Sequence, residues 1–405
     1  MAIPLQRLRV TPTTADATVT PLELFFDLVF VFALTQVTAM MADDLSGEGV
    51  LRGMLILALL WWSWTGYAWL SNVVRADEGA VRLVLITAMA AMFVLALTIP
   101  EAFDDLPGGL HGPVVLAVCY FGFRLMHLVM FWVIARDDPG LRAQLLRFTP
   151  SMVGGTAMLL VASTLDGTAQ TLAWAAALLA DYLGTLLGGS AGWRLRSPSH
   201  FAERHGLILI VALGESIVAI GVGVAQLPIS VPIVVASVLG LTLASALWWT
   251  YFDMSALKGE RALAEEPEAT RAALARDAYS YFHMPLVAGV VLTALGLKKV
   301  LEYVGDFSDH ELSDPLKGVA LYALFGGVVI YLLGHVGFKW RTGHEIGLSR
   351  LVPALVLTAL VPVAALVPAL AALALLTTVM VATVGFETWR YAEHRRRLRG
   401  GAHGS

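Results

Sequence analysis

Residues 23–41 read ELFFDLVFVFALTQVTAMM. Almost every residue is apolar, yet the run opens with two carboxylates, Glu23 and Asp27. At about 1.5 Å per residue a helix of this length reaches roughly 28 Å, the thickness of a bilayer's hydrocarbon core. Glu23 then sits at the membrane surface and Asp27 about one turn deeper. A carboxylate at that depth is costly unless something pairs with it, so it calls for a partner or a task.

Composition agrees with that reading. The chain has 405 residues, of which 58% are hydrophobic and 14% charged, with a mean hydropathy of +0.73. These values exclude an ordinary soluble domain and indicate a multi-span membrane protein. The single cysteine, Cys119, lies in an apolar run, so neither an intramolecular disulfide nor a cysteine metal cluster is available. Residues 1–20 are Thr-rich and lack the apolar core of a signal peptide, so the first span is expected to act as its own insertion signal. Basic residues are scattered along loops and gather only in the tail Arg390–Arg399, which gives no footprint for nucleic acid.

Apolar runs of spanning length number twelve, at about 21–42, 51–71, 80–100, 111–135, 149–165, 170–192, 203–226, 230–252, 279–298, 317–338, 350–366 and 368–389. The last two are too long together for one span and are read as a tight hairpin around Pro368. Loop charge tests the count. With the N-terminus inside, most of the 27 basic residues fall on inner segments, including Arg75, Arg136, Arg194, Arg204, Lys258, Lys339 and Arg350. Outer loops are acidic, as in Asp43, Asp44, Glu48, Asp104 and Asp105. This positive-inside bias predicts both termini in the cytoplasm and an even number of spans.

An internal repeat is expected. The run from Glu23 aligns without gaps to ERHGLILIVALGESI from Glu203, placing Thr35 and Gln36 on Glu215 and Ser216. Trp61-Trp62-Ser63-Trp64-Thr65 recurs as Trp248-Trp249-Thr250-Tyr251. Pro150 opens the fifth span and Pro353 the eleventh, and Trp193-Arg194 recurs as Trp389-Arg390. Six spans per repeat make the halves parallel copies. The expected organisation is a cytoplasmic segment 1–20, a first repeat 21–200, a second repeat 201–390 and a basic cytoplasmic tail 391–405. Residues 258–278, charged and rich in Ala, Glu and Arg, form a cytoplasmic connector inside the second repeat.

Ionisable residues within spans are candidates for function, each with a structural alternative. Glu23 and Asp27 share a helical face that continues through Val31, Leu34 and Thr38. That face suits an ion path or gate; it equally suits a packing helix anchored to a neighbouring Arg or Trp. Glu215 lies about 18 Å beyond Glu203, near mid-membrane, with glycines at 206, 214, 221 and 223 around it. Arg124, with His127 one turn away, is its candidate partner, as an ion-coupling site or a structural pair. Asp181 sits mid-span among small residues. His283 and His335, nearer cytoplasmic ends, and Asp253 and Glu387, almost at the surface, read as solvated anchors. The tryptophans at 61, 62, 64, 69, 248 and 249 read as packing. No His-Glu-x-x-His, Gly-x-x-x-x-Gly-Lys or Gly-x-Ser-x-Gly pattern occurs, and the histidines do not cluster at ligand spacing. Neither an enzyme nor a cofactor is expected.

The motifs at 23–33 and 203–217 together resemble the bacterial low temperature requirement protein A family over nearly the whole chain. That resemblance implies a multi-pass inner-membrane protein and supplies no mechanism. A shorter similarity is to the first helix of lysosomal and bacterial potassium channels with the Phe-Ser-Asp signature. Phe25-Phe26-Asp27-Leu28-Val29-Phe30 followed by Ala33-Leu34-Thr35 matches it except at the serine, where Phe26 stands. The second repeat departs further, with Leu207 at the aspartate position and Glu215 at that of Thr35. The similarity implies six-span repeats whose first helices line a path.

The sequence therefore predicts an all-α, polytopic membrane protein of about twelve spans in two parallel six-helix repeats. Its expected role is permeation of an ion or small solute, as channel or secondary transporter, with the first and seventh helices beside the path. The site candidates are Asp27, Glu23, Glu215, Arg124, Asp181, Thr35 and His127. A monovalent cation or proton is the expected coupling partner, and a homodimer would place four such helices about one axis. The alternative is a membrane scaffold or stress-adaptation protein whose buried ion pairs are structural.

Overall fold

A computed structural model of the protein describes residues 11–392 except 226, 307 and 346. The first ten residues of the expected N-terminal segment, with Arg7 and Arg9, and the basic tail from 393 onward lie outside the described residues. No β-strand occurs among the described residues; helices α1 (Pro21–Asp43), α2 (Gly47–Val73), α3 (Gly79–Leu97), α4 (Gly112–Ile134), α5 (Pro139–Ala162), α6 (Gly167–Leu187) and α7 (Pro198–Val224) come first. They are followed by α8 (Val231–Phe252), α9 (Ser255–Glu265), α10 (Glu268–Leu274), α11 (His283–Gly305), α12 (Gly318–Gly343), α13 (Leu348–Ala364) and α14 (Ala369–Arg390). A π-helical turn, Ala275–Tyr281, lies between α10 and α11.

Ten stretches among the described residues are long and apolar enough to cross a membrane. Each of the twelve runs read from sequence falls on a helix, but α6 and α13 are not among those ten. In α6, Gln170 and Asp181 dilute the apolar content; α13 is an apolar helix of only 17 residues. The final hairpin is two helices, α13 and α14, joined at residues 365–368. Two boundaries need correction. Pro150 lies inside α5, which begins at Pro139, and Pro353 lies inside α13. Proline is favoured at helix starts, but apolar helices tolerate it internally where neighbours satisfy the freed carbonyl. The run at 279–298 is likewise the middle of a longer apolar stretch, Glu268–Gly305.

The local causes of the first helices are plain. Thr20 caps α1 in a reciprocal box: its Oγ1 accepts from the Glu23 amide at 3.3 Å, while Glu23 Oε2 accepts from the Thr20 amide at 2.8 Å. Pro21 occupies the first helical position, where its missing N–H costs nothing. Ser46 caps α2 and Ser230 caps α8 in the simpler manner.

By its internal packing the chain divides into two compact units. One runs up to Val211 and takes in Leu263–Met284; the other comprises Ala212–Ala262 and the chain from Pro285 onward. In the first unit α1 packs on α2 and α3, α3 on α4, α4 on α5, and α5 on α6. Polarity runs opposite to that of a soluble bundle. On α1, Leu24, Phe25 and Leu28 are 43, 58 and 58% exposed, whereas Glu23, Asp27 and Thr38 are buried. Apolar side chains outward and charges inward are what a hydrocarbon solvent selects.

One ion pair outside the spanning helices has a consequence in acid. Asp138 caps α5 by accepting from the Leu141 amide at 3.0 Å and is gripped by Arg194 through two bonds of 2.9 and 3.1 Å. Although partial burial opposes it, the Leu141 amide and the Arg194 guanidinium hold this carboxyl below the ordinary carboxylate range. The folded value lies below the unfolded one, so the contribution is complete above an unfolded value of about 3.9 and is lost as pH falls through the folded value. The half-exposed pair is worth at most about 1 kcal/mol. Thermal melts from pH 7 to 3 should show Asp138→Asn, which keeps the cap, losing only this acid-dependent increment. Asp138→Ala should lose about 1 kcal/mol more, at every pH.

In the second unit α8 packs on α14, α12 on α13, and α13 on α14. Helices α11 and α12 touch backbone to backbone at Gly289 and Gly327. A Cβ at Gly289 would lie 2.6 Å from the Tyr331 amide nitrogen, and one at Gly327 would lie 2.6 Å from the Thr293 nitrogen. Arg350, counted from sequence among inner-loop charges, is buried; it donates to the Thr250 carbonyl at 2.9 Å and pairs with Glu387.

Candidate functional site

The first unit holds two groups of buried charge. The first joins the start of α1 to the start of α7. Ser197 Oγ accepts from the His200 amide at 3.3 Å, opening α7 just ahead of Pro198. His200 and Arg204 are then four residues apart on one face, as are Glu23 and Asp27. The two faces meet in register: His200 Nε2 lies 3.0 Å from Glu23 Oε1, and Arg204 Nη2 donates to Asp27 Oδ1 at 3.0 Å. Arg204 Nε approaches Glu23 to 4.0 Å. All four side chains are buried.

Neighbours orient these groups. Asn72 is held by its Nδ2 bond to the Ser197 carbonyl (2.6 Å) and its Oδ1 bond from the Arg196 amide (2.8 Å). Its Nδ2 lies 3.4 Å from His200 Nδ1, so His200 accepts there and carries its proton on Nε2, facing Glu23. Trp64 Nε1 donates to Asp27 Oδ1 at 2.8 Å, and its ring lies beneath the Arg204 guanidinium, 5.5 Å away. The fit is incomplete: Asp27 Oδ2 and Arg204 Nε and Nη1 are buried and make no hydrogen bond.

The second group lies among α2, α4, α5 and α6. Arg124 Nη2 donates to Asp181 Oδ2 at 2.8 Å, and both side chains are buried. One turn along α4, His127 faces the Gly66 carbonyl at 3.0 Å. A carbonyl only accepts, so Nε2 bears the hydrogen and Nδ1 of the neutral ring is a bare acceptor. Beside them is a cavity of about 50 Å³. Four of its lining residues present buried polar atoms with no hydrogen-bond partner: Arg124 Nε, His127 Nδ1, Thr65 Oγ1 and Thr185 Oγ1. An apolar void in a core needs no such atoms, whereas a site that receives a polar guest does.

The sequence candidates are thus distributed. Glu23 and Asp27 come together, and Arg124, Asp181 and His127 come together. Arg124, expected beside Glu215, finds its ion-pair partner in Asp181. Glu215 itself is buried in α7, and the Thr35 hydroxyl donates to the Val31 carbonyl within α1 at 3.1 Å. His283 and His335 are not solvated anchors: both are fully buried, His283 bonded to the Ala278 carbonyl and His335 among the Tyr251 and Tyr331 rings. The tryptophans do more than fill space, since Trp64 serves Asp27 and Trp61 Nε1 donates to the Ser280 carbonyl at 2.7 Å. Trp248 and Trp249, by contrast, are substantially exposed.

Arg204, counted from sequence among inner-segment charges, is buried like His200; both lie near a span's end, where charges ordinarily face water. Their spacing, equal to that of Glu23 and Asp27 and opposite in sign, was the available signal. Thr20-x-x-Glu23 ahead of an apolar run was likewise a legible capping box. Among the described residues no group of three His, Cys, Asp or Glu is arranged to hold a metal ion.

Helices of spanning length with apolar exteriors and charged interiors define a multi-pass membrane protein. Residues 18–385 match the bacterial low temperature requirement A protein (LtrA) family, and the chain belongs to it. The uncharacterized protein RA0937 of Rhizobium meliloti (strain 1021) is 29% identical over 394 residues, covering 93% of this chain and 90% of that one. No solved structure matches the chain.

Proposed function

We propose that this LtrA-family protein carries a small solute across the bacterial inner membrane. The observation that carries the reading is the Arg124–Asp181 pair. It is buried among apolar helices, yet Arg124 lines a cavity and keeps an unbonded guanidinium N–H, and three other lining residues, His127, Thr65 and Thr185, each keep an unbonded polar atom. A pair kept only for stability gains nothing from that opening, because an unmet buried donor costs about 1–3 kcal/mol. A cavity of about 50 Å³ fits a carrier with a binding site better than an open pore.

In this reading α1 and α7 stand beside the path. Their charge pairs at the cytoplasmic end form a gate that parts during the cycle, and the unbonded atoms of Asp27 and Arg204 are the points at which it opens. Thr35, further along α1, is assigned to the path, and Glu215, further along α7, to any coupling proton or monovalent cation. Both termini are placed in the cytoplasm on the loop-charge bias, with α6 and α13 completing twelve spans in two six-helix repeats.

The test is solute flux into proteoliposomes of the purified protein. Arg124→Gln combined with Asp181→Asn removes the pair's charges together and should cut flux at least roughly tenfold, an effect of about 1.4 kcal/mol. Asp27→Asn should change flux and its pH dependence while folding is retained. Unchanged flux in both variants would remove the proposal. A second reading, a scaffold without a transport cycle, draws on the capping role of Glu23 and on its bond to His200; it is favoured if folded wild-type protein moves no solute under any gradient.

A further inference from the structure

The cavity beside Arg124 has a chemical preference that can be read from its walls. Its charged lining residues are Arg124 and Arg276, and no Asp or Glu lines it. The carboxylates that neutralise these arginines are not among its lining residues. Asp181 takes Arg124 Nη2, and Asp277 takes Arg276 Nε at 2.8 Å and Nη2 at 2.7 Å. The lining therefore presents two guanidinium groups and no carboxylate, which favours an anion over a cation as guest.

The hydrogen-bonding groups agree in sign. Arg124 Nε is a donor without a partner, and the Thr65 and Thr185 hydroxyls are free to donate. Ser280, in the π-helical turn, accepts from Trp69 Nε1 at 3.0 Å, which leaves its own O–H available. That turn places both Ser280 and Arg276 on the cavity, in keeping with the frequent use of such turns at sites. His127 Nδ1 is the exception, an acceptor suited to an O–H on the guest. Trp62, Trp69, Trp193 and Phe148 supply flat apolar walls. At about 10–15 Å³ of such space per water, the cavity has room for about four non-hydrogen atoms.

We propose that the cavity beside Arg124 is a binding site for a small monovalent oxyanion, of the size and type of bicarbonate, formate or acetate. The anionic oxygens accept from Arg124 Nε and the threonine and serine hydroxyls. Bicarbonate alone among the three also carries an O–H for His127 Nδ1, so it binds best. The proposal deepens the carrier reading by naming its substrate class, and rests on that reading for the consequence that bound anion is transported. Binding is measured without transport.

Three tryptophans of the cavity wall provide the signal. Detergent-purified full-length protein is titrated, at fixed pH and ionic strength, with sodium and potassium salts of bicarbonate, formate and acetate against the chlorides, while intrinsic fluorescence is followed. The expected result is a saturable change set by the oxyanion, identical for sodium and potassium, and tightest for bicarbonate. Arg124→Gln/Asp181→Asn and, separately, the isosteric Thr65→Val should each weaken it at least tenfold. A response that follows the cation, an oxyanion response unchanged in both variants, or no saturable response in folded protein would overturn the proposal. Binding as expected without flux of the same anion into proteoliposomes would uphold the site and remove the carrier reading. Flux of another solute with no oxyanion binding would do the reverse.

Discussion

Arg204→Met should destabilise the protein by about 3–5 kcal/mol, the range found when one member of a buried ion pair is removed. The cause is what the methionine leaves behind. Asp27, 2% exposed, would keep Trp64 as its one hydrogen-bonding side chain, and Glu23 would lose the guanidinium 4.0 Å away. Methionine fills much the same volume, so the effect isolates charge from packing. Asp27→Asn should cost less, because an amide oxygen still accepts from Trp64 and Arg204 retains Glu23 nearby. The double variant Arg204→Met/Asp27→Leu should recover most of the loss, since replacing a whole buried pair by apolar groups is often neutral or stabilising. Thermal unfolding of detergent-purified protein, read from the midpoint of tryptophan fluorescence or of loss of the monodisperse peak, measures all three. An Arg204→Met protein as stable as wild type would mean that Asp27 is neutral or otherwise paired in the fold. The α1–α7 contact would then lose its electrostatic basis.

The second large effect is steric and lies in the other unit. Gly327→Val should abolish or nearly abolish the yield of folded protein, and Gly289→Val should do the same. Even a Cβ at these positions falls 2.5–2.7 Å from backbone atoms of the facing helix. Backbone cannot move aside as a flexible side chain does, so α11 and α12 must separate. Overpacking of this kind costs about 1–3 kcal/mol for modest intrusions and more when two backbones are forced apart. Close approach of small residues is also a main source of helix association where water supplies no hydrophobic drive. Gly326, adjacent in sequence, supplies the control: a Cβ there meets nothing within 4 Å, and Gly326→Ala should be tolerated. Yields of monodisperse protein for the three variants decide the matter. Normal folding of Gly327→Val would mean that α11 and α12 do not approach as described.

The Asp27 pairing and the Gly289–Gly327 contact differ in how far the chain alone reveals them. That residue 27 needed a partner was evident from its depth in an apolar run, because the energy of an unpaired carboxylate in hydrocarbon does not depend on the fold. Which side chain answers it was not evident: α7 lies far along the chain, and His200 and Arg204 sit near a span's end where basic residues normally face water. For Arg124 the sequence points to Glu215, whereas the fold supplies Asp181, whose depth marks it as needing a partner without naming Arg124. Gly289 and Gly327 carried no mark distinguishing them from Gly326.

Everything that follows from solvent and period is therefore legible along the chain. Apolar runs of spanning length, read against bilayer thickness, establish an all-helical membrane protein, and the depth of Asp27, Arg124, Asp181 and Glu215 establishes that its interior is charged. These conclusions need only one residue's position and the medium around it. Tertiary structure decided the pairings, the two compact units and the cavity at Arg124. Each depends on which faces of distant helices meet, and apolar exteriors that all serve equally well against lipid do not specify that. The meeting faces are chosen by packing and by charge complementarity at hydrogen-bond range, as where His200 and Arg204 come into register with Glu23 and Asp27.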